Sequence, residues 1–235
     1  VVSGINPMLT PEERAEAIAG VPAGLDLLNE LIDEKRKNPS DDFLSTLITA
    51  EEDGEKLSNW EMCALIGAVL GAGSDTAVDL HSYLIRALLS HPDQLAELKN
   101  DEGLIQNAIS ETLRYESSGK TGLARYASED LEILGVNVKK GEMVQLITST
   151  AGLDPHAYED ANIFNIHRSH DNSISFGQGP HYCIGVTLVR SQTEVMLKEL
   201  FSRFPDLSLS GRMDYDYNHH NARRMTMLEV ETNLN

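Results

Sequence analysis

Cysteine, aromatic residues and positive charge are all scarce in this chain of 235 residues. There are two cysteines, Cys63 and Cys183, too few for a disulfide scaffold. Aromatics make up 6% and tryptophan occurs once. Lysine and arginine number 19 against 37 aspartate and glutamate, a formal charge of −18. Wholesale nucleic-acid binding, which needs a basic footprint over phosphates, is therefore not expected. The longest run of apolar residues and glycine, 63–73, is 11 residues, against about 20 for a membrane span. No basic, apolar leader opens the chain. These absences point to a cytoplasmic protein with no membrane partner. The first residue is Val1, not methionine, so the expectation is a processed chain or a piece of a longer one.

What is present reads as mainly α with small β-sheets, an α+β class. Apolar residues are 41% of the chain, enough for a sizeable core. Thr10 before Pro11 marks a helix start at 10–19. Leu25, Leu28, Leu31 and Ile32 repeat at helical spacing up to basic Lys35, Arg36 and Lys37, and 41–50 predicts a third helix. Residues 51–56 read as a polar loop. Ser58 and Glu61 form a capping box that opens the longest helix, 58–90, stopped by His91–Pro92. At 1.5 Å per residue it is about 50 Å long and is expected to run through the middle of the fold. Helices at 93–99 and 102–115 follow. Beyond Glu116 the pattern changes to short strands at 123–126, 131–134 and 137–138, with 143–151 read as helix. Residues 153–178 are irregular, unusual at that length unless functional. A helix at 184–204 precedes two last strands, 207–209 and 225–230.

Three local features carry chemistry. The long helix contains Gly67, Gly71 and Gly73 followed by Ser74, Asp75 and Thr76. Each glycine costs roughly 1 kcal/mol against alanine in a helix. Either a neighbouring helix packs closely there, or a flat ligand approaches the backbone beside an acid and a hydroxyl that can pass protons. Glu111 and Arg114 share a helix face, a spacing most often seen in solvated surface pairs. In the segment from Phe176 to Gly185, Cys183 stands just before the last long helix, where free N–H groups favour a thiolate. Gly177 and Gly179 do not begin a dinucleotide loop, because position 182 is Tyr. Cys63, on the apolar helix, reads as a small buried hydrophobe. His167 and His170 read as surface, and His219–His220 have no neighbours at metal-ligand spacing.

Phe176, Gly179, His181, Cys183 and Gly185 resemble the haem-binding loop of the cytochrome P-450 enzymes, F-x-x-G-x-[HR]-x-C-x-G. Residues 72–76 are similar to that family's oxygen-activation motif, [AG]-G-x-[DE]-T, and Glu111 with Arg114 to its E-x-x-R. The three occur in the family's order, and the soluble bacterial branch fits best. The resemblance implies haem b (iron protoporphyrin IX) with Cys183 as axial ligand of the iron. It implies Asp75 and Thr76 as the catalytic pair that delivers protons to dioxygen. Arg125 and His181 would bind haem propionates, and Phe176, Gly179 and Gly185 would shape the loop. Glu111, Arg114 and Arg168 would form a buried structural network. The implied activity is hydroxylation of a small organic substrate with electrons from a ferredoxin- or flavodoxin-type donor. The alternative is a truncated non-catalytic member, a weak haem binder or interaction module. A peroxide-using or rearranging enzyme is disfavoured by the Asp75–Thr76 pair. Val189 and Gln192 stand where the family commonly has Ala and Glu. The whole chain, 1–235, corresponds to the C-terminal portion of a single P-450 domain, with the N-terminal portion absent from it and a possible partner.

Overall fold

The computed structural model describes residues 10–52, 55–117, 122–171, 173–217 and 223–232. Backbone contacts divide the chain into two compact units, Val1–Asp75 and Thr76–Asn235. His219 and His220 lie outside the described residues.

In the first unit α1 (Pro11–Ala19) starts at Thr10, whose hydroxyl accepts the Glu13 N–H while the Glu13 carboxylate accepts the Thr10 N–H. Helix α2 (Val21–Lys37) ends in Lys35, Arg36 and Lys37, cations on the negative end of the helix dipole. Helix α3 (Phe43–Thr49) is capped by Asp42, which also takes the Lys35 ammonium. Residues read as a polar loop form a minimal hairpin, β1 (Glu51–Glu52) with β2 (Glu55–Lys56). The small core of this unit is Ile32, Met62 and Cys63, with Leu25, Leu28, Leu44 and Leu47 around it.

Helix α4 (Asn59–Ser90) opens on the expected capping box: Glu61 accepts the Ser58 N–H at 2.8 Å and donates its own N–H to Ser58 Oγ at 3.3 Å. Its buried residues lie towards its two ends, Met62 and Cys63 at one, Leu80, Tyr83, Leu84, Ala87 and Leu88 at the other. Between them Leu65, Val69, Leu70 and Val78 are exposed. Counting uninterrupted runs undersold this helix. It is long and apolar enough to cross a membrane by length and composition, because Asp75 and Asp79 only interrupt its apolar runs.

In the second unit α5 (Pro92–Asn100), a 3-10 turn (Glu102–Leu104), α6 (Ile105–Tyr115) and α8 (Val186–Arg203) share one core with the end of α4. Leu98, Ile105, Ala108 and Ile109 meet Leu197 and Phe201 there. Four strands make two antiparallel pairs: β3 (Leu123–Tyr126) with β6 (Met143–Leu146), and β4 (Leu131–Ile133) with β5 (Val136–Val138). The stretch 143–151, read as one helix, is therefore mostly strand. Only α7 (Thr148–Ala151) is helical, since Val144 and Leu146 pair with Arg125 and Leu123. The C-terminal hairpin joins β7 (Ser208–Asp216) to β8 (Arg224–Glu231). Its first strand is longer than expected, because polar Ser210, Gly211 and Arg212 hid its continuation.

Candidate functional site

The irregular stretch after α7 is held by side chains that take the place of a backbone ladder. Glu111 is fully buried on α6 and Arg114, one turn on, is 1% exposed. Arg114 donates Nε and NH2 to the two carboxylate oxygens of Glu111, both at 2.7 Å. Its remaining hydrogens go to the carbonyls of Gly152, Ala161 and Ile163 at 2.7, 2.6 and 3.0 Å. Arg168 adds Nε to Glu111 at 3.3 Å and binds the carbonyls of Glu159, Asp160 and Ile163. The Asn165 N–H donates to the same carboxylate at 2.8 Å. Asn107 and Gln94 tie down Ile166, Arg168 and Phe164 from α6 and α5. Glu111, Arg114 and Arg168 are thus together, and the pair is buried where most pairs of its spacing are solvated.

His170, expected on the surface, belongs to this cluster. Its side chain is nine-tenths buried, and Nε2 is 3.7 Å from Glu111. Neither ring nitrogen has a hydrogen-bond partner. Burial lowers its pKa; Glu111 opposes that, while Arg114, Arg168 and Arg190 reinforce it. An irregular segment has no periodicity from which burial can be read, so nothing in the sequence marked His170. His167 is exposed as expected and pairs with Glu97 at 2.7 Å.

The chain then enters the cysteine loop. Gly177 and Gly179 adopt positive φ, 73° and 68°, which lets the backbone turn twice in three residues. A 3-10 turn (Gly179–His181) follows, and the Cys183 N–H closes the loop on the Phe176 carbonyl at 2.9 Å. Three residues later α8 begins at Val186; its N-cap Gly185 offers no side-chain cap, and the Val186 N–H turns back to the Cys183 carbonyl at 3.4 Å. A Cβ on Gly185 would stand 3.8 Å from Cys183 Sγ. Cys183 is a free, half-buried thiol, whereas Cys63 is buried as expected. The Phe176 ring lies under the Arg190 guanidinium, 5.3 Å from its centre. Tyr182 and Ile184, on either side of Cys183 in the chain, and Leu188 in the first turn of α8 are exposed.

This donor set fits haem. Among the described residues no three His, Cys, Asp or Glu side chains gather as metal ligands. A lone thiol just before a helix, in a segment with exposed apolar side chains, suits an iron whose other ligands come with a flat, apolar cofactor. Arg125 sits on β3, exposed, with NH1 on the neighbouring Ala124 carbonyl. His181 is also exposed. No hydrogen bond or ion pair joins these two among the described residues. Asp75 is half-buried and Thr76 exposed, adjacent on α4. Among the described residues, a Cβ at Gly67 or Gly73 would meet no atom within 4 Å outside the helix's own backbone.

Comparison with known proteins identifies the family. The chain is 38% identical over 220 residues to the epothilone C/D epoxidase of Sorangium cellulosum, covering 93% of this chain and 52% of that protein. It is 36% identical to the 6-deoxyerythronolide B hydroxylase of Saccharopolyspora erythraea, covering 84% of this chain and 48% of that one. Epothilone D-bound cytochrome P450epoK superposes with a TM-score of 0.86 at 37% identity, over 95% of this chain and 55% of that structure. P450BioI, solved in complex with an acyl carrier protein carrying a fatty acid, gives 0.90 at 31% identity, over 98% and 59%. The chain spans about half the length of the relatives it matches. With the family model for cytochrome P450 matching residues 21–228, the chain belongs to the cytochrome P450 family, whose members bind haem b.

Proposed function

We propose that this chain is the C-terminal, haem-ligating portion of a bacterial cytochrome P450 monooxygenase that oxidises a small organic substrate. The observation that carries this reading is the free thiol of Cys183, set by a glycine-turned loop at the uncapped start of α8. Haem bound there would supply the activation of dioxygen and the transfer of one oxygen atom to substrate. Cys183 would be its axial ligand, as a thiolate whose charge the N–H groups opening α8 offset. Gly177 and Gly179 hold that loop in its turn, and Phe176 anchors its far end through the carbonyl that binds Cys183. Arg125 and His181 would bind the propionates. Glu111, Arg114 and Arg168 fix the segment leading into the loop, so that the sulfur is placed before any ligand arrives.

Asp75 and Thr76 would hold and pass the protons the reaction consumes. A half-buried acid next to a hydroxyl on one helix can hold and relay a proton. Electrons would come from a ferredoxin- or flavodoxin-type donor in the cytoplasm. Two of the relatives above are named for oxidising epothilones and 6-deoxyerythronolide B, which favours a macrolide-like substrate class. The reduced, carbon monoxide-bound spectrum of the haem-reconstituted chain tests the reading. The expected result is the long-wavelength Soret band of a thiolate complex, lost in Cys183→Ser and kept in Cys63→Ser. A band that survives Cys183→Ser would exclude this ligand and the function built on it.

A further inference from the structure

His170 is buried and titratable, and neither haem ligation nor proton delivery uses it. Its place in the cluster is specific. Among the described residues, Glu111 Oε1 accepts from Arg114 NH2, the Asn165 N–H and Arg168 Nε, while Oε2 accepts from Arg114 Nε. His170 Nε2 stands 3.7 Å from that less used Oε2, too far for a hydrogen bond. The charged groups that act on the ring come from each element around it: Glu111 and Arg114 from α6, Arg168 from the irregular segment, Arg190 from α8. One carboxylate already faces three guanidiniums there, so a proton on the ring would add a fourth cation to a buried site. Burial and the arginines accordingly hold its pKa below the ordinary 6.5. As the pH falls through that range, the proton is taken up most readily where the ring has left the cluster.

Three successive backbone closures couple the ring to the sulfur. The His170 carbonyl accepts the Ser173 N–H at 3.0 Å, the Ile174 carbonyl the Gly177 N–H at 2.8 Å, and the Phe176 carbonyl the Cys183 N–H at 2.9 Å. Arg190 spans the same path, bonded to Gln106 and Ser110 of α6 while its guanidinium lies on the Phe176 ring. We propose that His170 is a positioning residue for Cys183: its uncharged ring fills the seat from which the cysteine loop springs, and acid unseats the ring and the loop together. That the displaced sulfur is an iron ligand rests on the monooxygenase reading; the seat does not. Alanine would empty the seat, whereas phenylalanine would fill it with a ring that cannot titrate.

The test uses the full chain as parent, His170→Ala and His170→Phe, with exposed His167→Gln as control. Amide hydrogen exchange at pH 7.5 and 5.5, corrected for intrinsic rates, is read over 173–183. The stretch 193–201 of α8, where Thr193, Leu197 and Phe201 are buried, is the reference. At pH 7.5 His170→Ala should speed exchange over 173–183 at least about tenfold, and His170→Phe should stay within about twofold of the parent. On going to pH 5.5 the parent should speed at least about fivefold more over 173–183 than over 193–201, while His170→Phe should speed both alike. His167→Gln should match the parent. In the haem-reconstituted chain, the long-wavelength Soret band of the reduced carbon monoxide complex should be lost at pH 5.5, return on neutralisation, and persist at pH 5.5 in His170→Phe. If either variant does not fold, His170→Gln, neutral at every pH, is read with the expectation given for His170→Phe. A selective acid response over 173–183 that survives in His170→Phe, or a parental response no larger there than over 193–201, would overturn the proposal. A parent that takes up no haem would overturn the monooxygenase reading, while exchange still decides the seat.

Discussion

Arg114 is the residue whose replacement should cost this fold most. All its donors are used: two on Glu111 and three on the carbonyls of Gly152, Ala161 and Ile163. Both partners of the ion pair are out of water, at 1% and 0% exposure. Arg114→Ala would strand a buried carboxylate, worth roughly 3–5 kcal/mol when such a pair is broken. It would also orphan the carbonyls of Gly152 and Ala161 at about 1 kcal/mol or more each, while that of Ile163 keeps Arg168. These losses are not strictly additive, but roughly 5–7 kcal/mol is comparable with the entire stability of an ordinary domain, about 5–15 kcal/mol. The expected outcome is a second unit that no longer folds. Arg114→Lys keeps a charge on Glu111 but cannot reach both oxygens and three carbonyls at once, so a loss of about 3–4 kcal/mol is expected. With a urea slope of about 2–3 kcal/mol per molar for a unit of this size, the midpoint should fall by about 1–2 M. The seven tyrosines all lie beyond Asp75 and the one tryptophan, Trp60, lies before it. Tyrosine absorbance in urea therefore reports the second unit and Trp60 fluorescence the first. The tyrosine transition should move and the tryptophan transition should not. The exposed pair Arg203–Glu199 is the control, and Arg203→Ala should leave both midpoints unmoved. An Arg114→Lys chain with the parental tyrosine midpoint would refute the claim that this network holds the segment before the cysteine loop.

His170→Phe should remove part of the acid sensitivity of the second unit. Burial holds His170 below its ordinary value of 6.5. The unfolded chain therefore takes up the proton first, so stability is complete above about pH 6.5 and falls as the pH drops towards the folded value. Urea midpoints at pH 7.5 and 5.5 should differ less in the variant. An unchanged difference would count against burial of the neutral ring. The slope that remains belongs partly to His81, which burial also lowers. Gly152→Ala should destabilise by roughly 1–3 kcal/mol, because a Cβ there would stand 2.3 Å from the Arg114 carbonyl oxygen. Gly73→Ala, with nothing within 4 Å, should instead leave the tyrosine and tryptophan midpoints level or raise them.

Helices were legible in the sequence wherever a cap or a period marked them. Thr10 and Ser58 each announced a start, and His91–Pro92 a stop, through local chemistry that needs no tertiary information. The strand β6 was misread because Met143 to Leu146 is apolar without clear alternation, and only pairing with β3 decides its conformation. Site residues showed the same division. Cys183 stood out because glycines and a helix start surround it in sequence. Glu111 and Arg114 could not be told from a surface pair by spacing alone. Their burial comes from residues 152–168, far along the chain and without period. His170 had no local signal at all, since it is defined by groups on other elements.

The middle of α4 is where the sequence is least self-sufficient. Glycine in place of alanine at Gly67 and Gly73 weakens the helix by roughly 1 kcal/mol each. In most proteins a close backbone contact offsets that cost. Here a side chain at either position would enter open space, and Val69, Leu70 and Val78 beside them are exposed. The compensation therefore does not come from the described residues of this chain. A flat cofactor lying against the helix would provide it, because its apolar face covers those side chains and needs the missing Cβ atoms out of the way. This makes Gly73→Ala a two-sided experiment. The same methyl that strengthens the bare helix should weaken haem uptake, and the opposite signs of those two effects distinguish a ligand-facing glycine from one that is merely tolerated.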